Sequence, residues 1–236
     1  DPNYDFLCGD AEAYYCRHYK WSSQRLSAAA NQDDRSVWCT VSENKGGRFI
    51  MKNTVVPGAP LFRDPIYDGA ADPVIIWNKQ EQGWWIFYTN RRAAAVNHGV
   101  SYVHGTDIGI VSSDDCGKTW IYRGTARGLE YEKGRNTYWA PEIMEYEGVY
   151  HMYVSYVRGI PATWDCKRTI LHYTSGNLWD WTLQGPLTLS SDRVIDACVV
   201  RCPDGIWKMW YKDEVHDSHT YTAYSEDLYH WTAGGP

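Results

Sequence analysis

Thr137-Tyr138-Trp139-Ala140-Pro141-Glu142-Ile143-Met144-Glu145-Tyr146-Glu147-Gly148-Val149-Tyr150-His151-Met152-Tyr153-Val154-Ser155-Tyr156 is the stretch whose reading decides the fold. A carboxylate, Glu142, stands at the mouth of an apolar strand. Glu147-Gly148 turns the chain tightly, and a strand rich in aromatic and β-branched residues returns. The pattern occurs twice more. Upstream, Ala71-Asp72-Pro73 opens an apolar run to Trp77, and Trp84-Trp85-Ile86-Phe87-Tyr88 comes back after a turn at 78–83. Downstream, Ile195-Asp196-Ala197 opens Cys198-Val199-Val200, Pro203-Asp204-Gly205 turns, and Trp207-Lys208-Met209-Trp210-Tyr211 returns. Asp72, Glu142 and Asp196 are therefore expected at equivalent places.

Behind each pair the repeat continues into a third strand, a polar turn and a tryptophan: 107–111 with Trp120, 169–173 with Trp181, and 221–224 with Trp231. The first turn, Ser113-Asp114-Asp115-Cys116-Gly117-Lys118-Thr119 before Trp120, is a complete Asp-box. Four strands repeating at about 50 to 70 residues argue for radially arranged blades, about 60–125, 130–186 and 190–236, rather than a sandwich. The expected fold is all-β, a propeller of four-stranded antiparallel blades with three blades evident. The mouths of its inner strands meet at one end of a central channel, so the three acids converge there.

Residues 1–56 do not fit the repeat and read as a partial blade or cap, with strands at 12–19 and 36–41 and a short helix or loop at 27–31. The loops after each second strand run to the acid-bearing end. They bring Asn90, Arg91, Arg92 and His104 from the first blade, Arg158 from the second, and Lys212, Asp213 and Glu214 from the third.

A length of 236 residues suits a single all-β core. The net charge of −6 and a pI near 5.7 speak against a nucleic-acid partner. No run reaches the roughly 18 apolar residues of a membrane-spanning helix. Seven cysteines leave at least one thiol unpaired within the chain, and none shows zinc-site spacing. Thirteen Trp and 19 Tyr against four Phe favour rings with a polar edge, which suits a sugar-binding cleft. Packing of blade on blade is the competing account of each single ring.

The pieces Ala71-Asp72-Pro73, Trp139-Ala140-Pro141-Glu142, Ile195-Asp196-Ala197 and Ile108-Gly109-Ile110-Val111-Ser112 resemble glycoside hydrolase family 43 and its relatives among the five-bladed propeller glycosidases. The resemblance covers about residues 60–236. It implies a glycoside hydrolase acting on plant or algal-type polysaccharide or oligosaccharide with inversion. Asp72 is then the general base and Asp196 the carboxylate that orients the general acid. Trp139, Glu142, Asn90, Arg91, Arg92, Arg158, His104 and Asp213 are the substrate-binding candidates.

Inversion needs a second carboxyl group about 6.5–9.5 Å from the base. The resemblance places it on a fourth blade, of which this sequence shows none, and Glu214 is the resident substitute. Another chain or a further segment is therefore expected to complete the five-bladed ring, and this chain alone is expected to have little activity. No cofactor is required, although a central channel leaves room for a structural calcium. An extracellular or periplasmic location suits such an enzyme, with a cytoplasmic one left open. A non-catalytic carbohydrate-binding propeller remains the alternative, and a retaining fructan-type hydrolase ranks below it, since Ala71-Asp72-Pro73-Val74 stands where those carry Asn-Asp-Pro-Asn.

Overall fold

The computed structural model describes residues 59–236 and, before them, two short strands. The chain divides into two compact units, residues 1–58 and 59–236. In the first, β1 (Thr40–Glu43) and β2 (Phe49–Lys52) pair as an antiparallel hairpin with Thr40 opposite Lys52. The strand expected at 12–19 and the helix or loop at 27–31 lie outside the described residues, as do residues 36–39 of the strand expected at 36–41.

The second unit consists of three sheets, each of four antiparallel strands. The first runs β3 (Ala70–Asn78), β4 (Gly83–Asn90), β5 (Ile108–Ser113) and β6 (Ile121–Thr125). The second runs β7 (Thr137–Tyr146), β8 (Val149–Val157), β9 (Thr169–Ser175) and β10 (Thr182–Pro186). The third runs β11 (Val194–Arg201), β12 (Trp207–Asp213), β13 (His219–Ser225) and β14 (Thr232–Ala233). A single 3-10 turn, Ser101–Val103, is the only helical element among the described residues. Trp120, Trp181 and Trp231 each stand immediately before the outermost strand.

Burial along the second strands reports the order of the blades. Successive side chains of a strand point to opposite faces. In β8 everything after Val149 is buried, because both faces are covered. Tyr150, Met152, Val154 and Tyr156 join Trp85, Phe87, Ile108 and Ile110 of the first blade in one core. Tyr153 joins Val199, Met209 and Tyr211 of the third in another. In β12, by contrast, burial alternates strictly: Trp207, Met209, Tyr211 and Asp213 are buried, while Lys208, Trp210 and Lys212 are only half-buried. Full burial of residues such as Phe87, Ile108, Met152 and Leu171 contributes about 1.5–3 kcal/mol each.

The polar turns before the outer strands share one construction. Ser113, Ser175 and Ser225 accept a hydrogen bond at Oγ from the backbone N–H of Gly117 (2.6 Å), Leu178 (2.9 Å) and Leu228 (2.9 Å). Two residues after each serine, the carboxylate of Asp115, the amide oxygen of Asn177 and the carboxylate of Asp227 accept from Thr119 (3.0 Å), Asp180 (2.9 Å) and His230 (2.8 Å). Such short side-chain acceptors stabilise the turn by taking over backbone donors.

Candidate functional site

Each innermost strand carries a β-bulge at its channel end, and the bulges build the site. In β3, Ala71 lies opposite Thr89 and the next paired residue is Val74, opposite Phe87. In β7 the pairs are Trp139 with Ser155 and Glu142 with Tyr153. In β11 they are Ile195 with Lys212 and Cys198 with Trp210. The first residue inside each bulge has a left-handed backbone: φ is +48° at Asp72, +45° at Ala140 and +59° at Asp196. Aspartate tolerates that region better than most residues.

This register corrects one expectation. Ala140, not Glu142, is the second-blade equivalent of Asp72 and Asp196. Glu142 lies two residues further along, at the place of Val74 and Cys198. The bulge adds a residue that alternation does not reveal, yet Pro73 and Pro141, each following the bulge residue, already carried the correct alignment.

The three acids nonetheless meet. A cavity of about 280 Å³ is lined by Asp72, Ala140 and Asp196 and by Glu142, together with Pro73, Val74, Pro141 and Ala197. Each aspartate has a cation from the end of its own second strand, Arg91 at 3.5 Å from Asp72 and Lys212 at 3.7 Å from Asp196. Burial pushes the Asp196 carboxyl up, Asp72 and Glu214 add to the rise, and Lys212 opposes it. Burial raises Glu142 to about 7, against a 3.0 Å hydrogen bond that its Oε1 accepts from the Val199 N–H. Glu142 therefore holds its proton close to neutral pH.

Two hydroxyls that the sequence analysis did not single out fix the bulges from the neighbouring blade. Thr89 Oγ1 accepts from the Ala140 N–H (2.9 Å) and donates to Asp72 Oδ2 (3.3 Å). Ser155 Oγ accepts from the Asp196 N–H (3.0 Å). Thr89 and Ser155 occupy equivalent positions, opposite the residue that precedes each bulge. Lys212 holds that position in the third blade, where its ammonium turns to Asp196 instead.

No family model matches the sequence, and neither does any curated protein. Solved structures do match. A family 117 glycoside hydrolase of the marine bacterium Zobellia galactanivorans is 18% identical, with a TM-score of 0.58 over 78% of this chain and 60% of that one. The Penicillium chrysogenum α-L-arabinanase complexed with arabinobiose is 17% identical, with a TM-score of 0.51 over 73% and 52%. A member of the GH130 family of mannoside phosphorylases is 20% identical, with a TM-score of 0.52 over 70% and 48%. This is a family 43-like propeller fold. The chain spans about half to three fifths of the length of these structures, and its described residues hold three blades of the propeller.

Several residues expected at the funnel are not among those that line this cavity. Trp139 is buried and donates from Nε1 to Val103 O at 2.6 Å. His104 is buried against it, ring centroids 4.9 Å apart, and burial lowers its pKa. Asn90 accepts from the Asp107 N–H at 2.9 Å, and Arg92 donates to the carbonyls of His104 (2.7 Å) and Ser101. Arg158 is exposed and pairs with Glu132 at 3.4 Å.

Asp213 is buried. Burial alone would raise its pKa, but hydrogen bonds from Ser190 (2.5 Å), His216 (2.9 Å) and Ser191 (2.8 Å) bring it down to about 2. Glu214 pairs with Arg168 at 2.7 Å. Among the described residues no three His, Cys, Asp or Glu side chains stand together so as to hold a metal ion. No helix among them is long and apolar enough to cross a membrane.

Proposed function

We propose that residues 59–236 carry part of the active site of a glycoside hydrolase that acts with inversion on plant or algal-type polysaccharide or oligosaccharide. The observation that carries this reading is the single cavity that gathers Asp72, Glu142 and Asp196, with a cation against each aspartate and a raised pKa on the glutamate. Asp72 takes the proton from the attacking water, and Arg91 steadies it. Asp196 orients the acid. Glu142, protonated near neutral pH, donates a hydrogen bond to a sugar oxygen. The general acid comes from a fourth blade, supplied by another chain or a further segment that also completes the ring. Glu214 is not given that role, because its carboxylate is committed to Arg168.

The solved structures named above include an arabinanase and a member of the mannoside phosphorylase family, which supports a carbohydrate ligand in general terms. Aryl glycosides of arabinose, xylose, galactose and fructose, offered to the assembled propeller, test the reading. Asp72→Asn should lower turnover by about 10²–10⁴-fold, the usual contribution of a general base, with an unchanged melting temperature. Wild-type turnover in that variant refutes the assignment. Sugar binding without turnover in the wild type would favour the non-catalytic propeller.

A further inference from the structure

We propose that Trp164 is a stacking platform for a ring of a neutral oligosaccharide at the funnel rim; the inference rests on the carbohydrate reading above and adds its specificity determinant. The loop 158–168 joins β8 to β9. Val157, the last residue of β8, lies opposite Thr137 at the start of β7, so the loop emerges at the channel end, where the Ala140 bulge lines the cavity. Trp164 leaves 53% of its surface exposed there. Exposing an indole forgoes the gain of burying it.

Its position is nonetheless built. The indole rests on the buried His104 ring (centroids 5.9 Å apart) and on Trp139 (6.4 Å). Ala140 and Ile195, which belong to or adjoin two of the bulges, pack on the Trp139 cluster. The Trp164 carbonyl accepts from Arg168 Nη2 at 2.5 Å and from the Cys166 N–H at 3.0 Å. Arg168 has only 4% of its side chain exposed and also grips Glu214 of the third blade.

From the first blade, the Val100 N–H donates to Ala162 O at 3.0 Å. A Cβ on Gly99, whose φ is +55°, would lie 2.2 Å from that same oxygen, so the brace needs glycine. An exposed indole held in place from three blades is pre-organised for a ligand. Sugar rings present C–H faces that stack on indole, while their hydroxyls turn to the neighbouring carboxyl groups.

Xylotriose, arabinobiose and β-1,2-mannobiose are the probes, titrated by calorimetry and by quenching of tryptophan fluorescence. At least one should bind the wild type. Trp164→Ala should weaken it about ten-fold, the effect expected of a central aromatic contact, while Trp164→Phe keeps most of the affinity. If the alanine variant does not fold, Trp164→Leu carries the test, since it retains apolar bulk without an aromatic face. Undiminished affinity in the alanine or leucine variant overturns the platform and leaves the hydrolase reading standing. Failure of the wild type to bind any of the three sugars also overturns the platform, and the hydrolase reading then stands or falls on turnover of the aryl glycosides.

Discussion

At Glu142 burial and ionisation oppose each other, and the opposition has a measurable sign. Burial lifts its carboxyl from the ordinary 4.5 to about 7 in the folded chain. Between those values the folded state holds a proton that the unfolded state has released. The contribution of Glu142 to stability is therefore greatest below about pH 4.5 and is lost as pH rises through 7. Glu142→Gln keeps an oxygen for the Val199 N–H and cannot ionise. It should raise the melting temperature at pH 8 while changing little at pH 5, as scanning calorimetry at the two pH values would show. Equal effects at both would mean that Glu142 is not protonated by burial. That Asp72, Glu142 and Asp196 would lie together was legible from the sequence; the equivalence of Ala140 with the two aspartates was not. A left-handed alanine inside a bulge leaves no compositional trace, and only the shared proline after Asp72 and Ala140 pointed to it.

The inner strands of the blades depend on hydroxyls from their neighbours. Thr89 and Ser155 are buried, and each satisfies the N–H of a bulge residue in the next blade. Thr89→Val keeps the shape and removes the acceptor, leaving the Ala140 N–H without its partner. That should cost about 1–3 kcal/mol, read from denaturant midpoints at constant m. Ser155→Ala should do the same at Asp196. An unchanged midpoint in both variants would show that the bulges are held by their own strands alone. The strands themselves were legible, because a period of two with dense aromatics separates them from turns. The hydrogen-bond partners of Asn90, Arg92 and Asp213 were not. Polar residues where a strand passes into a loop serve equally to bind a ligand or to satisfy backbone groups, and sequence spacing does not distinguish the two.

Across the whole molecule, tyrosine does much of what phenylalanine would do in another fold, with the hydroxyl used between blades. Tyr150 OH receives the Lys79 N–H (3.1 Å) and donates to Trp77 O (3.2 Å), and Tyr153 OH donates to Leu228 O (2.6 Å). The aromatic balance that reads as sugar-binding in the sequence is in these cases interblade structure.

One interblade contact is also acid-sensitive. His151 and His172 are buried and stacked, with Nδ1 of one 3.0 Å from Nε2 of the other. Tyr229, from the turn of the third blade, lies edge-on to both rings. Burial holds His151 down to about 4 although Glu145 pulls it up. His172 is held at about 3 by burial and by repulsion from His151, with Asp227 opposing.

The unfolded chain takes up these protons near pH 6.5, so the pair stabilises fully above that value and progressively less as pH falls towards 4. The sign is opposite to that of Glu142, and variants separate the two: His172→Gln should flatten the loss of melting temperature between pH 6.5 and 4.5. The damage should also be local to the contact between the second and third blades. At pH 4.5, relative to pH 7, hydrogen exchange corrected for intrinsic rates should accelerate in β12, around Met209 and Tyr211, more than in β4, around Phe87. Equal acceleration in both strands would mean that acid unfolds the blades together and that the histidine pair does not set the weak seam.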